Sequence, residues 1–135
     1  MDKSIFKAYD IRGRYPKEIN EEVAGKISMA LARHLKKGEV VVGHDARLSS
    51  PRLYRAVIGA LKKENPKLDI VRVGLITTPL LYFLVNRVGA TAGIAITASH
   101  NPKDYNGLKV VGRNAEPVSG KEVWKLVQKY GRKEK

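Results

Sequence analysis

Apolar and polar positions along the chain fall into two alternating patterns. Four short apolar runs, Val40-Val41-Val42-Gly43, Leu68 to Val73, Gly93 to Ile96 and Leu108 to Val111, each stop at polar or turn-forming residues. Runs of that length rich in β-branched residues predict strands covered on both faces. Around them apolar residues recur at helical spacing: Val23, Ile27, Leu31 and Leu35; Leu53, Val57, Ile58 and Leu61; Leu81, Leu84, Val85 and Val88; Val123, Leu126, Val127 and Tyr130. Start and stop signals frame these stripes. Asn20 precedes two acids, Ser50-Pro51 and Thr78-Pro79 each set a capping hydroxyl before a proline, and Ser119 with Glu122 forms a capping box. Lys36-Lys37-Gly38 predicts a cationic last turn and a left-handed cap, Gly74 the end of the second strand, and Gly89 the end of the third helix.

Strand and helix alternate throughout, which predicts a three-layer α/β/α domain with a mixed four-stranded sheet. After Asn101-Pro102 and the turn signal Tyr105-Asn106-Gly107, the link to the last strand is too short for a helical crossover. The last strand should therefore run antiparallel to its partner. Residues 4–15 read as an extended segment turning at Gly13. At 135 residues the chain fits one domain, residues 1–130, followed by a basic tail, residues 131–135. The absence of cysteine excludes a disulfide framework and a thiolate metal site. No basic-then-apolar segment follows Met1, and no apolar run approaches a membrane span. A soluble, cytoplasmic protein with no membrane partner is the simplest expectation.

Charge adds a partner class. The net +13, from 26 Lys and Arg against 13 Asp and Glu, favours phosphate on a metabolite, a nucleic acid or an acidic surface. The basic residues are spread along the chain, with their densest groups at helix ends, and the 7% of aromatic residues do not interleave with them as a stacking platform. Specific nucleic-acid binding is not expected.

Candidate chemistry gathers at the carboxyl ends of the parallel strands. That edge collects His44-Asp45-Ala46-Arg47, Ile76-Thr77-Thr78 and Ala98-Ser99-His100-Asn101, with the Arg12 turn and Lys109 in reach. A nucleophile, an acid/base group and two cations suit phosphoryl transfer. Adjacent Ser99 and His100 do not suit triad geometry, and no G-x-S-x-G elbow, Walker A loop or G-x-G-x-x-G loop is present. Asp45 and Arg47 read as scaffolding for their own loop.

Four motifs in order, Ala8-Tyr9-Asp10-Ile11-Arg12-Gly13, Val42-Gly43-His44-Asp45-Ala46-Arg47, Thr77-Thr78-Pro79, and Thr97-Ala98-Ser99-His100-Asn101-Pro102 with Asn106-Gly107-Leu108-Lys109, resemble those of the α-D-phosphohexomutases. The resemblance covers residues 4–130. It favours the phosphomannomutase/phosphoglucomutase branch, because Tyr9-Asp10-Ile11-Arg12 is unlike the Thr-Asp-Gly-Ile-Arg-Gly opening of phosphoglucosamine mutases. It implies the N-terminal, phosphoserine domain of such an enzyme. Ser99 would carry the phosphoryl group and exchange it with a hexose phosphate through a bisphosphorylated sugar. His100, Arg12 and Lys109 would be catalytic, and Tyr9, Arg12 and Lys109 would bind substrate. Mg²⁺ would sit on the Ser99 phosphate, with hexose 1,6-bisphosphate as activator. Three further family loops, for metal, sugar and a second phosphate, do not occur in these residues. The implied domain should therefore be inactive alone, its partners the other mutase domains or a second copy. The alternative is a non-catalytic sugar-phosphate-binding or interaction module. Trp124, beside the Val123-Val127 stripe, is a candidate for the interdomain surface or for this domain's own core.

Overall fold

A computed structural model describes residues 1–131. In chain order the elements are β1 (Ile11–Arg14), α1 (Glu21–Leu35), β2 (Gly38–His44), α2 (Ser50–Glu64), β3 (Leu68–Leu75), α3 (Thr78–Val88), β4 (Ala92–Ile96), β5 (Tyr105–Val111), β6 (Pro117–Val118) and α4 (Gly120–Gly131), with short 3₁₀ turns at Lys3–Ile5 and Arg113–Ala115. The strands form one mixed sheet of order β1-β5-β4-β2-β3, with β6 on β5. β3, β2 and β4 run parallel, whereas β1, β5 and β6 pair antiparallel. The three-layer α/β/α class and the antiparallel turn after β4 are as expected, and the sheet has six strands rather than four. Residues 132–135 of the expected tail lie outside the described residues.

Each surface of the sheet has its own core. Ile27, Leu31, Leu53, Val57 and Leu61 of α1 and α2 bury against Val40, Val42, Ile94, Ile96, Leu108 and Val110. On the opposite surface, Leu81 and Val85 of α3 pack on Val41, Ala95 and Val111. This follows from the period-2 alternation of a strand, where each run supplies both surfaces. Full burial of each aliphatic side chain is worth about 1.5–3 kcal/mol. α3 seats unusually close to β4, since a Cβ on Gly93 would come within 2.6 Å of Val85. Only Leu81 and Val85 of the α3 stripe are buried, and Leu80, Phe83 and Val88 face outward. Trp124 packs on Phe6 at a ring separation of 5.0 Å, so it joins this domain's own packing.

Several local expectations shift, each for a physical reason. Gly13 is no turn, because β1 runs through it and pairs with Asn106. Tyr105-Asn106-Gly107 is likewise strand: a Cβ on Gly107 would lie 1.9 Å from the Ile11 carbonyl oxygen, so this glycine admits the β1 backbone. The residue that caps α1 is Lys36, at φ 64°, while Gly38, also at positive φ (109°), already opens β2. That end is satisfied from α2's C-terminus, where Asn65 Nδ2 donates to the Ala32 and Lys36 carbonyls. Gly74 does not end β3. It follows a register shift opposite Val42 and Gly43, and the strand continues to Leu75. The helix caps move back one residue, to Ser49 and Thr77, because Ser50 and Thr78 are already helical. The Ser119–Glu122 capping box forms as expected, with Glu122 N–H donating to Ser119 Oγ and Ser119 N–H to Glu122 Oε1.

Candidate active site

Ser99 lies three residues past β4, on the turn that reverses the chain into β5. The turn is wound by local polar bonds. Ser99 N–H donates to Thr97 Oγ1 at 3.0 Å, and both Asn101 N–H and Asn101 Nδ2 donate to the Ala98 carbonyl at 3.1 and 2.7 Å. Ser99 takes φ +56°, a left-handed conformation that a non-glycine residue holds only when its surroundings impose it. Ser99 and His100 are both exposed.

The sheet register sets the cations. Arg12 stands opposite Gly107, and Lys109, two residues on, stands opposite Ala95. Because side chains alternate, Arg12, Lys109 and Ala95 share the α3 surface, as diagonal and direct cross-strand neighbours. Arg12 is held from behind by buried Asp10, whose Oδ1 faces Arg12 Nε at 3.0 Å as an ion pair. The approach lies off the line of a hydrogen bond, and neither atom has another partner among the described residues. The two Nη groups of Arg12 also make no hydrogen bond among the described residues, which leaves the bidentate side of the fork to an incoming anion. Arg12 and Asn101 line one polar cavity of about 290 Å³ together with Ser4, Lys7 and Tyr105. Burial, then the Asp10 charge, push the Tyr82 phenol above its ordinary value. Tyr9 is 82% exposed, and none of the cavities at this site is lined by it.

A second cavity of about 590 Å³ has Ser99, Asn101 and Lys103 along one part of its wall and Asp45, Arg47 and Leu48 along another. Asp45 is committed: its Oδ1 accepts from Arg47 N–H at 3.0 Å and from Ser50 Oγ, and its Oδ2 from Arg47 Nε at 3.3 Å. Buried Asn106 completes this cluster by donating to Ser49 and Ser50 Oγ at 2.8 and 2.9 Å, while its Oδ1 accepts from Gly107 N–H. His44 turns inward instead, with Nδ1 2.7 Å from the Asp45 carbonyl oxygen and its ring against Tyr54.

The structure thus brings Arg12 and Lys109 onto one sheet surface and sets the Ser99 turn beside the Arg12 cavity. Ser99, His100, Lys109 and Tyr9 make no side-chain hydrogen bond with one another among the described residues. Two positioning groups escape sequence reading, Asp10 and Asn106. Both are buried polar residues inside short motifs, and only their burial marks them.

No group of three or more His, Asp or Glu side chains is placed to hold a metal among the described residues. With Asp45 committed to Arg47 and Ser50, the donors among the described residues do not by themselves fit a Mg²⁺ site, since a hard cation takes about six oxygens.

The architecture is an α/β/α sandwich with a serine turn past the carboxyl end of β4 and with Arg12 and Lys109 on one sheet surface. A family model described as phosphoglucomutase/phosphomannomutase, alpha/beta/alpha domain I, matches residues 3–135. The chain is 47% identical over 119 residues to a protein of Xanthomonas campestris named for phosphohexose mutases, covering 88% of this chain and 26% of that protein. It is 44% identical over 117 residues to a phosphomannomutase of Klebsiella pneumoniae, covering 87% of this chain and 73% of that protein. A crystal structure of a phosphoglucomutase/phosphomannomutase family protein from Burkholderia thailandensis superposes with a TM-score of 0.83 at 34% identity, over 98% of this chain and 31% of that one. The chain belongs to the phosphoglucomutase/phosphomannomutase family, as its first α/β/α domain. It spans about a quarter of the length of the Xanthomonas relative.

Proposed function

We propose that this domain carries the phosphoserine of a phosphohexomutase that interconverts hexose 1-phosphate and hexose 6-phosphate in the cytoplasm. The observation that carries the reading is Ser99, exposed and left-handed on a tightly wound turn whose Asn101 lines the cavity of Arg12, an arginine with an open fork. Phosphoserine 99 would give its phosphoryl group to a sugar hydroxyl. The hydroxyl oxygen bonds phosphorus, the Ser99 Oγ–P bond breaks, and the hydroxyl proton passes through His100 or Lys109 to the departing Ser99 oxygen. The bisphosphorylated sugar then returns its other phosphate to Ser99 by the reverse exchange. Arg12 and Lys109 would neutralise the phosphoryl oxygens, where positioned cations contribute most of the catalysis. Tyr9 would lie along the sugar.

Magnesium enters only as a partner of the Ser99 phosphate. It would neutralise the phosphoryl group when bound, and its remaining ligands would come from outside the residues described. Hexose 1,6-bisphosphate is the expected phosphoryl donor to the unmodified serine. The test is incubation with glucose 1,6-bisphosphate and Mg²⁺, followed by peptide mapping. One phosphate on Ser99 is the expected result; a phosphate on any other serine, with Ser99 bare, overturns the assignment.

A further inference from the structure

Arg47 does more than close its own loop. Its Nε donates to Asp45 Oδ2 at 3.3 Å, Nη1 to the carbonyls of Pro102 and Tyr105 at 2.6 and 3.0 Å, and Nη2 to those of Ser99 and Asn101 at 3.0 and 2.7 Å. A guanidinium offers five N–H donors in a rigid plane, and all five are engaged. Four of them hold backbone 52 to 58 residues further along the chain. The side chain is only 13% exposed, and Asp45, gripped by Ser50, fixes it from the α2 side. Its local partner accounts for one bond; the serine turn accounts for the rest.

We propose that Arg47 is the positioning residue of the serine turn. It draws the carbonyls of Ser99, Asn101, Pro102 and Tyr105 onto one cation, and so holds Ser99 in its left-handed conformation at the wall of the larger cavity. With the Ser99 carbonyl anchored, the Oγ has a fixed origin for phosphoryl exchange. The following peptide N–H, of His100, finds no acceptor among the described residues and stays available. Arg47 itself touches neither sugar nor phosphate. Lysine cannot replace it, because three donors on one nitrogen do not span four carbonyls and a carboxylate. The proposal deepens the reading of Ser99 as the phosphorylated residue and rests on it.

Two readouts on the whole chain separate the clamp from that reading. The first is the rate of Ser99 phosphorylation by glucose 1,6-bisphosphate in wild type, Arg47→Lys and Arg47→Met. The second is amide hydrogen exchange of residues 97–106 compared with β2 and β4. Misplacement by about 1 Å typically costs about 10²-fold in rate, and that is the loss expected for Arg47→Lys. Exchange should rise in the turn but not in the strands, and added guanidinium ion should restore part of the Arg47→Met rate. Wild-type labelling of Ser99 matched by Arg47→Lys overturns the clamp and leaves the phosphoserine standing. If wild type is never labelled at Ser99, the functional reading fails, and exchange alone decides the clamp: an unchanged turn overturns it, a loosened one upholds it. Should Arg47→Met not fold, Arg47→Lys carries both readouts.

Discussion

At the scale of single residues, the candidate site is held by groups buried behind its exposed side chains. Asp10 is buried behind Arg12, and Tyr82 of α3 lies close enough to feel its charge. The Tyr82 phenol is pushed above its unfolded value of about 10, first by burial and then by Asp10. The protonated phenol is thus favoured by folding, so its contribution is full below pH about 10 and is lost as pH rises through the raised folded value. Wild type should lose stability more steeply than Tyr82→Phe on going from about pH 9 to about pH 11. Urea midpoints at a series of alkaline pH values measure the difference, and parallel curves would remove Tyr82 from the site's electrostatics.

At the scale of elements, β1 decides whether Arg12 reaches the site. β1 docks on β5 only because Gly107 has no side chain: the nearest atoms to an added Cβ are the Ile11 carbonyl oxygen and the Arg12 Cα, both backbone and unable to yield. Overpacking of this kind costs about 1–3 kcal/mol, and Gly107→Ala should sit at the upper end. The urea midpoint should fall, and amides of Ile11–Arg14 should exchange faster than those of β4. An unchanged midpoint would mean β1 is not seated as described. The same glycine shows what the sequence conceals. Apolar runs and helical stripes revealed β2 to β4, most of β5 and all four helices, since burial on two faces leaves a periodic trace. Tyr105-Asn106-Gly107 carries turn chemistry, yet Asn106 spends its side chain on Ser49, Ser50 and Gly107 N–H, and Gly107 makes room for β1. β1 itself, charged and short, had no apolar run to announce it. Ser99, Arg12 and Lys109 were legible because they stand in ordered motifs. The reach of Arg47 was not, because a bond spanning 52 or more residues leaves no local pattern.

At the scale of the whole molecule, the helices are unevenly shared. α1, α2 and α4 cover one surface of the sheet, and α3 alone covers the other, which also bears Arg12 and Lys109. Among the described residues the chain therefore offers cations and a serine without a group of three His, Asp or Glu side chains placed to hold a metal. Purified alone with Mg²⁺ and glucose 1-phosphate or mannose 1-phosphate, it should show no steady mutase turnover. A lost transition-state cation alone can be worth about 10³-fold or more. Turnover at about 1 s⁻¹ or faster, the ordinary enzyme range, would mean that these residues complete the site themselves.

The antiparallel reversal from β4 into β5 also has a consequence in time. Its strands are joined by a short turn and need no helical crossover, so they can pair before the parallel strands have found one another, local contacts being the quicker to form. Arg47 arrives with β2 and α2, from much further back in the chain. The serine turn would then close early and loosely and acquire its final shape late, when the guanidinium docks. Weakening that dock should leave the folding rate almost untouched and speed unfolding instead, as for contacts absent from the transition state. The part of the molecule that forms first would be among the last to become exact in shape.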